Sequence, residues 1–168
     1  RVTQSVPEAK LTIVGDGPLF GPCKRILQAL HLEKSVTLLG IQRAEEVARL
    51  MRQSRAFVQH SLVAESGDSE GRPVGVIEAQ MPGLPVVATR HAGIPDVVEN
   101  EQTGFIVEEA DVDAMADAMI RLAKDPALAG RLGRAARKRA IQFFTMDRHI
   151  NQLTDIIREG IERQYVRP

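Results

Sequence analysis

Hydrophobic and polar positions follow two patterns along the chain, short apolar runs and segments of helical period. Runs rich in branched aliphatic residues are predicted to be buried strands: Leu11 to Val14, Val36 to Leu39, Ala56 to Gln59, Pro85 to Ala88 and Gly104 to Val107. Between them, apolar residues recur three, four and seven positions apart, as from Ala44 to Met51, which is typical of amphipathic helices. Because the runs are continuous rather than alternating, both sheet faces should be covered, which favours an α/β fold with a doubly wound parallel sheet.

The last third of the chain is predicted to be helical. Apolar residues from Val112 to Ala123 share one helix face, Pro126 opens the next helix, and a final helix spans about Asp147 to Arg163. Its apolar side should face something apolar, or be left exposed if its cover is absent. We expect one domain over residues 1–168, with strand and helix alternating to about residue 108. Since the ten residues before the first strand supply no earlier strand, we also expect that a further strand, and with it a partner domain, lies upstream.

Charge and composition exclude several function classes. The 22 Lys+Arg balance the 22 Asp+Glu, so no long-range positive field favours nucleic acid or an anionic membrane. Apolar runs are too short for a transmembrane segment, and the single cysteine and the lack of a signal segment favour the cytoplasm. No metal is expected, because no pair among the four histidines has metal-binding spacing: His31, His60, His91 and His149. Gly15-Asp-Gly17 lacks the remaining residues of a dinucleotide fingerprint and is interpreted as a tight turn.

The segment from Glu70 to Thr89 carries the chemistry. Pro73 suits the first position of a helix, which would make Arg72 the N-cap, and arginine has no acceptor with which to cap. The first free amides, those of Val74, Gly75 and Val76, would then be left for an anion such as a diphosphate. The two nearby glycines, Gly71 and Gly75, would remove side chains from its path.

Two glutamates flank these amides. Glu78 shares a helix face with Val74, and helical side chains lean toward the N-terminus, so its carboxylate is directed toward the group next to the phosphates, a ribose in a nucleotide. Glu70 precedes the helix and would face whatever the phosphates carry. Taken singly, Glu78 is equally well interpreted as a solvated surface residue and Gly75 as a small residue for close helix packing.

The chain resembles the C-terminal, donor-binding domain of group 1 (family 4) retaining glycosyltransferases of the GT-B fold. The resemblance rests on Glu70 and Glu78 with seven residues between them, on Gly83 to Thr89, on Ala92 to Pro95, and on the Gly15 to Pro18 and Val36 to Gly40 segments. It implies a Rossmann-like domain, the C-terminal half of a GT-B fold truncated at its N-terminus. It also implies transfer of a hexose from a UDP- or GDP-sugar to a glycan or lipid-linked acceptor, with no required metal or cofactor.

The resemblance also implies residue roles. Glu70 would contact the transferred sugar and orient it for reaction, Glu78 would bind the ribose, and the amides around Arg72 to Gly75 would hold the diphosphate. Gly15 and Gly40 would border the cleft, with Ile41 and Gln42 beside the base. The absent N-terminal domain would bind the acceptor, at the inner face of the membrane if the acceptor is lipid-linked, and this piece alone would be inactive.

Two departures from the family pattern concern the phosphates. Arg72-Pro73 stands where many members have Phe-Gly, and the family's basic clamp, an Arg and a Lys, has no match in the chain. Two alternatives stay open at this point. One is a nucleotide-sugar 2-epimerase of similar architecture, and the other is a noncatalytic ligand-binding module of flavodoxin-like fold.

Overall fold

A computed structural model describes residues 1–64, 66–67, 69, 71 and 73–165, with side chains to residue 163. Within these residues, helices and strands alternate up to residue 107, and three helices follow. The elements are α1 (Val2–Ser5), β1 (Leu11–Ile13), α2 (Phe20–Ala29), β2 (Val36–Leu38), α3 (Ala44–Gln53), β3 (Phe57–Gln59), α4 (Val74–Gln80), β4 (Val86–Thr89), α5 (Ile94–Val97), β5 (Gly104–Val107), α6 (Val112–Lys124), α7 (Pro126–Phe143) and α8 (Met146–Tyr165). The predicted strands and helices are confirmed to within a few residues.

All strand pairs are parallel, but they form two sheets rather than the one expected. β1 pairs with β2, β4 lies between β3 and β5, and no bridge joins β1 to β3 in the part of the chain that the structure describes. A flavodoxin-like sheet, with strand order 2-1-3-4-5, would pair β1 with β3. The periodicity of the sequence shows which segments are strands, but it does not determine which strand edges meet.

The core lies around β4 and β5. All four residues of β4 are buried, as are three of the four in β5, and two clusters of buried side chains cover the two faces of β4. The expectation that both faces of every strand are covered is wrong for β1 and β2, which contain no fully buried residue. In β3 the expectation is met in part, because Phe57 packs against one of the two clusters and Val58 against the other. Continuous apolar runs mark strands that can be buried, whereas burial itself depends on whether other elements cover them.

The three C-terminal helices differ in how they pack. α6 and α7 begin at aspartates whose side chains cap them: Asp111 accepts from the Ala114 amide at 2.9 Å and Asp125 from the Leu128 amide at 2.8 Å. α7 packs against α4 and β5. The apolar side of α8 does not face an apolar partner within the described residues. Its isoleucines and leucine are exposed: Ile150, Leu153, Ile156, Ile157 and Ile161.

Candidate functional site

Glycines border the carboxyl ends of β1 and β2. The Gly15 amide donates to the Gly40 carbonyl at 2.9 Å, and both residues have positive φ, +127° and +64°, a region that glycine adopts without a Cβ clash. The next two residues stand at the same edge. Ile41 is 80% exposed, and the Gln42 side-chain amide donates to the Leu39 carbonyl at 2.7 Å. The structure therefore brings together the two glycines expected to border the cleft and the two residues expected beside the base.

The start of α4 differs by one residue from the expectation. Pro73 is the N-cap rather than the first helical residue, since its ψ of 117° is extended. The Val76 amide donates to the Pro73 carbonyl at 3.2 Å, so it is not free for an anion as expected. The described residues give no acceptor for the amides of Val74 and Gly75. Arg72, the expected N-cap, lies outside the described residues.

The other expected site residues stand before and within α4. Glu78 is exposed one turn after Val74, which is itself 65% exposed. A Cβ on Gly75 would lie 3.6 Å from the ring of Phe57 in β3, an ordinary packing distance, whereas Gly71 is exposed and has nothing within 4 Å of that position. Gly75 thus faces the sheet, and Gly71 faces open space. Glu70, the expected sugar contact, lies outside the described residues.

The loop between β3 and α4 is fixed to the end of β4 by hydrogen bonds at both of its ends. At the first end, the Ser61 amide donates to the Thr89 hydroxyl at 2.9 Å, and that hydroxyl donates to the Ser61 carbonyl at 2.7 Å. At the second end, the Gly93 amide donates to the Gly71 carbonyl at 2.8 Å. The turn that follows β4 thus positions Gly71, which lies shortly before α4.

A buried histidine in that turn adds a third connection. His91 is 2% exposed, its Nε2 lies 3.1 Å from the Ser69 hydroxyl, and its Nδ1 lies 2.6 Å from Glu109 Oε1. The other oxygen of Glu109 accepts from the Val63 amide at 3.3 Å. The hydrogen bond from His91 is the main cause that lowers the pKa of the Glu109 carboxyl below its ordinary value; burial opposes this shift, and the hydrogen bond from Val63 adds to it. The sequence analysis missed this series of hydrogen bonds. Its only sign in the sequence is a polar residue shortly after each of two apolar strands, β4 and β5.

The other titratable residues that the sequence singled out stay apart. His60 follows β3 and is exposed, while His31 and His149 lie in the turn after α2 and in α8. Among the described residues, no three His, Cys, Asp or Glu side chains lie close enough to hold a metal ion. No helix of the described chain combines the length and the apolar character that crossing a bilayer requires.

Comparison with known proteins agrees with this fold. Over 146 residues, 87% of the chain, it is 35% identical to the amylovoran biosynthesis glycosyltransferase AmsK of Erwinia amylovora, and it spans 36% of that protein. Among solved structures, it superimposes on sucrose-phosphate synthase from Thermosynechococcus elongatus with a TM-score of 0.81 at 25% identity, over 96% of this chain and 41% of that one. It superimposes on Anabaena Alr3699/HepE, solved in complex with UDP, with a TM-score of 0.80 at 24% identity, over 94% of this chain and 44% of that one.

These likenesses define the class of protein as an α/β glycosyltransferase of GT-B fold, of which the chain corresponds to the C-terminal half. Residues 1–139 match the family Glycosyl transferases group 1, and the chain belongs to that family. Members of the family use nucleotide-sugar donors. The chain spans between about a quarter and two fifths of the length of the curated relatives it matches first.

Proposed function

We propose that this chain is the nucleotide-sugar-binding domain of a retaining glycosyltransferase that transfers a hexose from a UDP- or GDP-sugar to a glycan or lipid-linked acceptor. The observation that carries the proposal is the group 1 family match over residues 1–139, which includes the whole carboxyl edge of the sheets. Ligands of open parallel sheets bind beyond that edge. The domain assignment over residues 1–168, the acceptor-binding partner domain and the cytoplasmic location are parts of the same proposal.

The residue roles follow the chemistry at that edge. The amides of Val74 and Gly75 donate to the diphosphate, and Glu78 accepts from the ribose hydroxyls. Glu70 contacts the sugar, by its place in the sequence before these amides. Helix-end dipoles contribute only about 0.3–1 kcal/mol per charge at exposed sites, so the ribose contact is expected to carry a large share of the nucleotide affinity.

Titration of the protein with UDP, GDP and ADP tests the proposal. We expect UDP or GDP to bind more tightly than ADP, and Glu78→Ala to weaken that binding by about 1–3 kcal/mol, the cost of a lost charge-assisted hydrogen bond. The control is Glu33→Ala, which removes an exposed glutamate just before β2, at the opposite edge of the sheet. Equal affinity in wild type and Glu78→Ala would contradict the ribose role. No binding of UDP or GDP to the wild type would contradict the function itself.

A further inference from the structure

The chain of hydrogen bonds through His91 reaches two different elements. Ser69 belongs to the loop before α4, and Glu109 follows β5. His91, which contacts both, lies in the turn after β4. An ionised carboxylate only accepts hydrogen bonds, so Nδ1 of His91 carries a hydrogen and donates to Glu109. In the neutral ring Nε2 is then an acceptor, and it receives the hydroxyl hydrogen of Ser69. The two bonds hold the imidazole between Ser69 and Glu109.

The backbone of this turn is held in a costly conformation. Ala92 has a φ of +43°, a left-handed region that side chains other than glycine rarely adopt. The residues on either side of it, His91 and Gly93, make the contacts to Ser69 and Gly71. Strain of this kind persists where surrounding contacts determine the backbone, and it concentrates at functional sites. Here the strained residue lies between the two residues that contact the loop before α4.

Burying the hydrogen-bonded His91 ring costs more free energy than packing at this position requires. Burying the polar ring of His91 is favourable only when both of its nitrogens have hydrogen-bond partners, whereas an apolar residue would fill this position without that condition. The two partners, Ser69 and Glu109, are more exposed than the ring itself. The imidazole therefore joins the segment after β5 to the loop before α4.

We propose that His91 and Glu109 are positioning residues of the donor site, which hold Ser69 in the arrangement that sugar-nucleotide binding requires. This inference rests on the proposed function, in which residue 70 contacts the sugar and the amides at Val74 and Gly75 contact the diphosphate. Hydrogen bonds from the turn after β4 reach the residues on both sides of position 70. His91 contacts Ser69, and the Gly93 amide donates to the Gly71 carbonyl. Loss of the hydrogen bonds through His91 should therefore weaken binding of the sugar more than binding of the diphosphate.

The test compares binding of a free nucleotide with binding of its sugar conjugate in the protein as it is encoded. The probes are UDP with UDP-glucose and GDP with GDP-mannose, and the variants are His91→Asn, Ser69→Ala and Glu109→Gln. We expect His91→Asn and Ser69→Ala to weaken sugar-nucleotide binding about tenfold, the effect of one lost hydrogen bond at a partly buried site, with free-nucleotide affinity within about twofold. Glu109→Gln should act in the same direction and less strongly, since glutamine retains an acceptor oxygen.

The chain itself offers a matched control. Arg90 is next in sequence to His91, and Glu108 is next to Glu109. The two residues form an exposed ion pair of 2.8 Å between the same two strand ends. Exposed pairs contribute little, so Arg90→Gln and Glu108→Gln should leave both affinities within about twofold. Ser69→Thr retains the hydroxyl and should restore sugar-nucleotide binding. Ser69 is exposed, so its variants test the proposal even if His91→Asn unfolds the protein.

Hydrogen–deuterium exchange without ligand supplies a second readout. His91→Asn and Ser69→Ala should speed amide exchange in residues 61–71 and leave the β4 and β5 amides unchanged. Equal loss of free-nucleotide and sugar-nucleotide affinity, or unchanged exchange in this loop, would overturn the positioning role and leave the proposed function standing. Failure of the wild type to bind any of the four probes would overturn both.

Discussion

Residues 11–54 and residues 74–143 are built from the same kinds of element and differ in how they are buried. α2 and α3 contain no fully buried residue, and Ile26 and Leu30 of the α2 region are 57% and 61% exposed. The second region holds every buried hydrophobic residue of the described chain except Val6. Both regions nevertheless show the same period of apolar positions. An amphipathic pattern therefore predicts that a helix forms and which side is apolar, but not whether that side is covered.

The tightness of the second region also depends on glycines at contact points. A Cβ on Gly133 in α7 would lie 2.0 Å from the Gly83 carbonyl oxygen, and one on Gly104 in β5 would lie 2.0 Å from the Val86 carbonyl oxygen. In the first region the positions of Gly15, Gly17 and Gly40 have nothing within 4 Å. Close backbone approach thus distinguishes the two regions as clearly as burial does.

The largest expected effect is that of Gly104→Ala. Its new Cβ meets backbone atoms of Val86, which move only if the β4–β5 pairing shifts, so we expect a loss of about 3 kcal/mol or more of unfolding free energy in urea titration. Gly17→Ala is the matched change in the first region and should stay within about 0.5 kcal/mol. A similar loss in both variants would show that the first region is as tightly packed in solution as the second.

Truncation of one leucine in each region gives the next largest difference. Leu132 of α7 is fully buried, and Leu132→Ala should cost about 2–5 kcal/mol of unfolding free energy through lost apolar contact and a cavity. Leu30→Ala, at the exposed end of α2, should change it by no more than about 0.5 kcal/mol. Thermal and urea unfolding of the two variants measure the contrast. A large cost for Leu30→Ala would mean that α2 is covered in solution.

The sequence predicted the local pattern of each element, but it did not predict which elements are buried. The period of apolar residues placed the strands and helices, and Pro126 correctly marked the start of α7. These features are local, because they depend on residues within one or two turns. The exposure of Ile26 could not be predicted, since it depends on what lies opposite it in space. For the α8 isoleucines the sequence predicted the apolar side of the helix and left open whether that side is covered.

The polar connections of the candidate site were unpredictable for a related reason. Ser69 and Glu109 lie 22 and 18 residues from His91 in the chain, and only the parallel arrangement of β3, β4 and β5 brings their ends to one edge. The one-residue error at the start of α4 is local, because proline suits both an N-cap with extended ψ and a first helical position. The spacing placed Glu78 on the same face of α4 as Val74, both residues are exposed in the structure, and the contact of Glu78 with a ribose stays a prediction.

The smallest expected effect concerns two carboxylates, one in the first region and one just after β5. Hydrogen bonds from Arg49 and His91 lower the pKa of Glu46 and of Glu109, respectively, below the ordinary value of 4.5. Each folded carboxyl then binds a proton more weakly than the unfolded one does. Each therefore stabilises the protein fully above that value, and its contribution is lost as the pH falls through the lowered pKa.

The partners of these two carboxylates predict which one matters more. Arg49 is half-exposed, whereas the side chain of His91 is 1% exposed and depends on Glu109 for one of its two hydrogen bonds. Glu109→Gln should therefore lower the unfolding free energy at neutral pH and flatten its decline in acid more than Glu46→Gln does. Urea titrations at several pH values between about 7 and 3 measure both slopes. If the two variants changed the acid slope equally, the buried imidazole would confer no more stability on its carboxylate than a surface ion pair within one helix does.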